Sequence, residues 1–334
     1  MPMTIALLGL GAASLLASCG GEADEADPPD RQDRAEAVFD RIGPDDPFCT
    51  AAVLRGEEVV FAEAYGSTDD GPVDPDTEVD IASVSKQFTG VAVELLIDEG
   101  LLSGDDLVGD LVPEAGPVAA DVTVDELLTH TSGLVDYTEL LDADDDERTT
   151  QADAVAAIAA STPSGTRGAF EYSNSNYVLL AEVAEAVDGR RLPELLDDEV
   201  FSPLELDMAL DPRSTWEQVG DGSVWTTPTE LVDWSSQYWD QTLDGPDLAT
   251  VMFDPEVPVD EGDEGVDDRY GSGILHATGD DGVEVLFHDG SWDGYETDWL
   301  VIPSEELAAA VTCDEEADLS TDEPAAALLD LWRP

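Results

Sequence analysis

The chain has 334 residues, with 79 Asp+Glu against 12 Lys+Arg and a formal net charge of −67. That balance excludes nucleic acid as a partner, which needs clustered Lys and Arg, and 42% hydrophobic residues with 7 Trp exclude a disordered acidic chain. Such a surface repels itself in dilute buffer but is tolerable at molar salt, where the Debye length is about 3 Å, so a halophilic protein with salt-dependent folding is expected.

The N-terminus reads as a targeting segment. Ile5 to Leu16 is apolar but too short to span a bilayer. It ends in Leu16-Ala-Ser-Cys19, which looks like a lipobox with Cys19 as the lipidated residue. Residues 1–18 would be a lipoprotein signal peptide, although one without the usual basic start. Residues 19–33, acidic and rich in Pro and Gly, would be a disordered tether. The expected location is extracytoplasmic, with the lipid anchor as the sole membrane contact; a secreted protein without lipid is the alternative.

The elements then follow in chain order. Arg34 to Ile42 reads as a short helix stopped by Gly43-Pro44. Phe48–Leu54 and Glu58–Tyr65 are β-rich runs joined by a hairpin signal. A helix begins near Ser83, with an apolar stripe through Leu96 and a stop at Gly100. Thr123-Val-Asp-Glu126 is a capping box opening a helix through Leu128. Helices follow at Ala152–Ala160, Asn176–Val187 and Thr229–Tyr238. Asp260 to Asp268 reads as a solvated acidic loop. The tail reads as a β-meander, Gly273–Ala277, Val283–His288, Glu296–Ile302 and Leu307–Cys313, closed by a helix over Glu323–Leu331. The expected fold class is therefore α/β of the α+β kind. The antiparallel sheet is built from N- and C-terminal strands flanked by helices, with an inserted all-helical lobe. One catalytic domain would span 34–334, with a sheet lobe at 34–80 and 265–334 and a helical lobe at 81–264. Cys49 and Cys313 fall in expected strands, and their spacing leaves a disulfide and two separate thiols equally open.

Lys86 is the one lysine in the chain, and it stands three residues after Ser83. A serine hydroxyl is a poor nucleophile until a neighbour removes its proton. Residues i and i+3 of a helix share a face, and N–H groups at a helix start can hold an oxyanion. Ser83 and Lys86 thus form a sensible nucleophile and base. A second element is Tyr172-Ser-Asn174: a tyrosine beside a lysine cation has its phenolate favoured, and the Asn174 amide can meet a substrate carbonyl and the lysine. The alternative is an ordinary helix start with Tyr172 in the core. A third element is His288-Asp-Gly290-Ser291 at a strand end, where glycine would let substrate backbone approach and the Ser291 N–H would be an oxyanion donor. The alternative is a hairpin turn with an incidental histidine. His130, in Leu-Leu-Thr-His-Thr-Ser-Gly-Leu134, reads as structural beneath the site, and His276 as a surface strand residue.

Together, Ser83-x-x-Lys86, the His130 run, Tyr172-Ser-Asn174 and His288-x-Gly290-x-x-x-Gly294 resemble the class C β-lactamase-like family of serine hydrolases. That group also holds D-Ala-D-Ala carboxypeptidases, D-aminopeptidases and family VIII-type esterases. The resemblance covers about residues 34 to 334. It implies an acyl-enzyme on Ser83, with Lys86 and Tyr172 as the proton-transfer unit. It implies an oxyanion hole from the Ser83 and Ser291 N–H groups, and neither metal nor organic cofactor. It places the first and last strands side by side, which favours a Cys49–Cys313 bridge. Many β-lactamases of the class carry Lys-Thr-Gly where this chain has His288-Asp-Gly290. A histidine followed by an acid is a weak carboxylate receptor. The order of expectation is therefore an esterase or amidase, then a D-Ala-D-Ala peptidase, then a β-lactamase, acting as a monomer on a small-molecule or peptide substrate. A catalytically idle surface binding protein is the competing class; idle relatives lose the serine, lysine or tyrosine, and this chain keeps all three.

Overall fold

The computed structural model describes residues 28–68, 71–141, 148–163, 165–259, 268–279 and 281–334. The signal segment 1–18, Cys19, the tether up to residue 27 and the acidic stretch 260–267 lie outside the described residues. Among the described residues, eight strands form one antiparallel sheet. They are β1 (Cys49–Arg55), β2 (Glu58–Tyr65), β3 (Val257–Pro258), β4 (Arg269–Tyr270), β5 (Leu275–Thr278), β6 (Glu284–Trp292), β7 (Tyr295–Ile302) and β8 (Leu307–Asp314). Their order is β3-β4-β5-β6-β7-β8-β1-β2, so the N-terminal hairpin pairs with the last strand.

The sheet is covered on both faces, and the sequence of β8 shows why. Leu307-Ala-Ala-Ala-Val-Thr-Cys313 is buried throughout, as expected of a strand with no solvent face. Leu307, Ala309, Val311 and Cys313 face one apolar cluster, formed with α1 (Pro28–Glu36) and the C-terminal helix Asp322–Trp332. Ala308 and Ala310 face the larger cluster, which holds the catalytic-side helices. The chief of these are α2 (Lys86–Asp98), α3 (Val124–Leu128), α4 (Gln151–Ala160), α5 (Asn174–Asp188) and α6 (Pro228–Trp234). α6 is fastened to the sheet by the Trp299 indole, which donates to Ser235 Oγ at 2.8 Å.

Three differences from the sequence expectation concern the fold. α1 starts at Pro28, inside the stretch read as tether, because proline fits the first turn of a helix. The region 81–264 is not purely helical. Val224–Thr226 pairs with Val79–Asp80 and with Ala209–Leu210, Thr149–Thr150 pairs with Trp216–Glu217, and β3 joins the main sheet. These strands are two or three residues long, too short for a periodic signal. Finally, β6 runs on to Trp292 instead of ending at His288.

Cys49 and Cys313 are directly paired across β1 and β8 and form a disulfide with a Cα–Cα separation of 4.0 Å. The bridge closes a loop of sequence separation 264, for which the chain-entropy model gives about 5 kcal/mol. We expect Cys49→Ala/Cys313→Ala to lower unfolding stability by about 2–5 kcal/mol in denaturant titrations. An unchanged midpoint would show that the bridge is energetically idle.

Candidate active site

Ser83 stands in a 3-10 turn, Ala82–Ser85, that leads into α2. The turn is anchored on both sides. Asp80 Oδ1 accepts the Ala82 N–H at 2.8 Å, and the Ile81 N–H donates to the Val224 carbonyl at 3.1 Å. Ala82 sits at φ 48°, a left-handed conformation that non-glycine residues rarely hold outside functional sites.

Lys86 Nζ lies 2.9 Å from Ser83 Oγ and 2.6 Å from the Asp221 carbonyl oxygen. The lysine is fully buried. Burial pulls its pKa down to about 8, against the opposing pull of Asp221, Asp136 and Asp289. A lysine this close to neutrality can accept the Ser83 proton near pH 8.

Tyr172 enters from the segment before α5. Its ring centroid is 5.1 Å from Lys86 Nζ, and the His130 ring stacks on it at 4.3 Å. Its hydroxyl has no partner at hydrogen-bond geometry, although Ser83 is close enough to favour its phenolate. Burial outweighs that influence and pushes the phenol well above its ordinary value. The sequence expectation of a favoured phenolate is corrected here: desolvation wins, and Tyr172 keeps its proton. Lys86 is the member of the pair poised near neutrality.

β5 pairs with residues 284–287 only, which leaves His288–Trp292 without a strand neighbour on that side. This edge meets the nucleophile turn. A Cβ on Gly290 would lie 2.6 Å from the Ile81 carbonyl oxygen and 2.9 Å from Ser83 N. Glycine is therefore needed for the close approach of the Ser83 turn to this edge. Ser291 follows, exposed, on the same edge, and Gly294 (φ 94°) lies in the β6–β7 hairpin turn. His288 is buried, and burial with the nearby Lys86 brings its pKa down to about 4 despite Asp289. It therefore stays neutral and brings no charge to a substrate carboxylate. His276 lies well apart on β5, between Glu256 and Glu284.

Asn174 is oriented by Asp136, whose Oδ2 accepts the Asn174 N–H at 2.8 Å and its side-chain amide at 3.0 Å. The expected contact with Lys86 is replaced by this carboxylate. His130 is buried beneath Tyr172, as read from the sequence. Sequence reasoning missed Asp221, Asp136, Tyr137 and Tyr270. Tyr137 donates to Asp221 Oδ2 at 2.9 Å and so steadies the residue whose carbonyl holds Lys86. Tyr137 also packs on Trp216, which meets Trp292 edge-on at 5.4 Å. These links run from the Asp221 loop to β6. Gly220-Asp221-Gly222 signals only a loop, so no pattern in the chain marks this carbonyl. A separate surface cavity of about 300 Å³, lined by Leu54, Glu57, Asp233 and Trp239 among others, includes none of these residues.

The Beta-lactamase family model matches residues 47–331. The chain belongs to the beta-lactamase family. It is 27% identical to a D-aminopeptidase of Cereibacter sphaeroides over 307 residues, which is 81% of this chain and 57% of that protein. The chain thus spans little more than half the length of that curated relative. Among solved structures, the D-stereospecific amidohydrolase from Streptomyces sp. matches with a TM-score of 0.74 at 22% identity, covering 91% of this chain and 98% of that one. The D-amino acid amidase from Ochrobactrum anthropi SV3 matches with a TM-score of 0.74 at 20% identity, covering 90% and 98%. These likenesses agree with the mixed fold and its large antiparallel sheet.

Proposed function

We propose that this beta-lactamase family member is a serine hydrolase that cleaves amide, peptide or ester bonds through an acyl-enzyme on Ser83. The observation that carries this is the 2.9 Å contact between Ser83 Oγ and a buried lysine whose pKa is drawn to about 8. Lys86 takes the Ser83 proton as Oγ attacks the carbonyl carbon. The oxyanion forms against the Ser83 and Ser291 N–H groups. Tyr172 hands its hydroxyl proton to the leaving group and is reprotonated from Lys86. Water then attacks the acyl carbonyl, with its proton passing back through the same pair, and releases Ser83.

The surroundings favour a substrate that carries an amine over one that carries a carboxylate. Asp136, Asp221 and Asp289 all act on Lys86, and His288 is neutral. The relatives named a D-aminopeptidase and a D-amino acid amidase support an amide or peptide substrate with a free amino group. Trp216 and Trp292, both partly exposed, offer an apolar wall for its side chain. We expect a D-aminoacyl p-nitroanilide to exceed its N-acetylated form and a D-Ala-D-Ala peptide in kcat/KM by at least about 10-fold, the effect of one ion-pair contact. Faster turnover of a cephalosporin or of the D-Ala-D-Ala peptide would reverse the ranking.

The protein is further proposed to act outside the cytoplasm, tethered through Cys19. The Cys49–Cys313 disulfide supports an oxidising compartment. Loss of membrane association in Cys19→Ser is the expected result, and unchanged fractionation would remove the anchor.

A further inference from the structure

Beneath the nucleophile lies a line of buried polar groups that the mechanism above does not use. Ser173 N–H and the Asn176 amide reach His130 Nδ1 at 3.2 and 3.0 Å. His130 Nε2 lies 3.2 Å from the Tyr270 hydroxyl. That hydroxyl lies 3.2 Å from His288 Nε2, and His288 Nδ1 lies 2.5 Å from the Asp289 carbonyl oxygen. His130, Tyr270 and His288 are all buried.

Both ends of this line are backbone groups with one possible role. The Ser173 N–H can only donate, so His130 Nδ1 carries no proton and Nε2 does. The Asp289 carbonyl can only accept, so His288 Nδ1 carries a proton. One arrangement satisfies every member: His130 Nε2–H donates to Tyr270, and the Tyr270 O–H donates to His288 Nε2. The line joins the segment that carries Tyr172 to the strand that carries Gly290 and Ser291.

We propose that Tyr270 is a positioning residue, and that its hydroxyl bridges the two histidines, in the neutral tautomers that their backbone partners set, and holds Tyr172 in register with the oxyanion edge of β6. This rests on the serine hydrolase reading above for its kinetic arm but not for its spectroscopic arm. Protonating His288 would turn its Nε2 from acceptor into donor and leave the Tyr270 O–H without an acceptor in this line. The groups that face His288 are Lys86 from α2, Tyr270 from β4, Tyr172 before α5, His130 after α3 and Asp289 on its own strand. Tyr177 also lies beside His130 and Tyr270, but its hydroxyl donates to the Leu128 carbonyl at 2.8 Å.

The chain has only 3 histidines, so ¹⁵N-histidine NMR of the wild-type protein in high salt can read the tautomers directly. His276→Gln serves to assign the remaining signals. The expected result is one Nδ1–H and one Nε2–H imidazole, both unprotonated at pH 6. Two imidazoles of the same tautomer, or a protonated one at that pH, would overturn the proposal. Tyr270→Phe keeps the ring and removes the hydroxyl. It is expected to lower kcat by about 10- to 100-fold with KM little changed, the range for one unpaired buried group. The His288 ¹⁵N signals should titrate at higher pH than in the wild type, because His288 loses the donor that favours its neutral form. A Tyr270→Phe variant with wild-type kcat and an unmoved His288 titration would also overturn it. If no substrate is turned over by either protein, the tautomers together with the shift of the His288 titration in Tyr270→Phe still decide.

Discussion

Lys86→Arg is expected to reduce turnover by about 1,000-fold or more while the protein still folds. Arginine keeps a positive charge at the same point, but it stays protonated in proteins and cannot relay a proton. The substitution therefore separates a proton-transfer role from a purely electrostatic one. Lys86 is fully buried, so the larger side chain should destabilise the fold by about 1–3 kcal/mol through overpacking, which a thermal melt would register. The pH dependence follows from the same group. The neutral amine is the base, and burial sets its pKa at about 8. Wild-type kcat/KM should therefore rise as pH increases through about 8, since the protonated form dominates below it. Retained activity in Lys86→Arg would reduce the lysine to a replaceable charge.

The second large effect concerns salt. The formal charge of −67 is spread over a surface where three of the paired arginines already answer more than one acid each. Arg190 contacts Asp188, Asp198 and Glu199, Arg213 contacts Glu78 and Asp211, and Arg333 contacts Asp281 and Glu305. These pairs are too few to neutralise the remaining carboxylates. Screening must do so, and the Debye length shortens from about 30 Å at 0.01 M to about 3 Å at 1 M. We expect the protein to unfold at millimolar salt and to melt at progressively higher temperature up to molar KCl, as followed by circular dichroism. A melting temperature independent of salt would contradict that expectation.

The site was legible where the chemistry needs a short contiguous motif. Ser83 and Lys86 meet because one helical turn brings them together. Tyr172 was found by its spacing to Asn174 and by the resemblance that the ordered motifs carry. The protonation state of Tyr172 was not legible, because it depends on how many groups from distant segments bury the phenol. Asp221 and Tyr270 were invisible for a similar reason: one acts through its backbone carbonyl, and the other comes from a two-residue strand beyond an acidic loop. In the fold, the apolar, β-rich runs of β1, β2, β7 and β8 and the capped helices α3 and α4 carry local signals. The short pairings near 150, 210 and 225 rest on tertiary contacts alone. The close approach of Ile81 and Ser83 to Gly290 was not legible, because it joins segments far apart in the chain.

The central claim is that Ser83 forms the acyl-enzyme. Its most direct test is intact-mass spectrometry of protein quenched during turnover in multi-molar salt. The panel should include a D-aminoacyl ester, a short-chain p-nitrophenyl ester and a chromogenic cephalosporin, each tried on wild type and Ser83→Ala. The account predicts a mass gain equal to one acyl group in the wild type, mapped to the peptide that carries Ser83, and neither adduct nor turnover in a folded Ser83→Ala. Turnover that survives in Ser83→Ala, or an acyl group mapped to another residue, would contradict it.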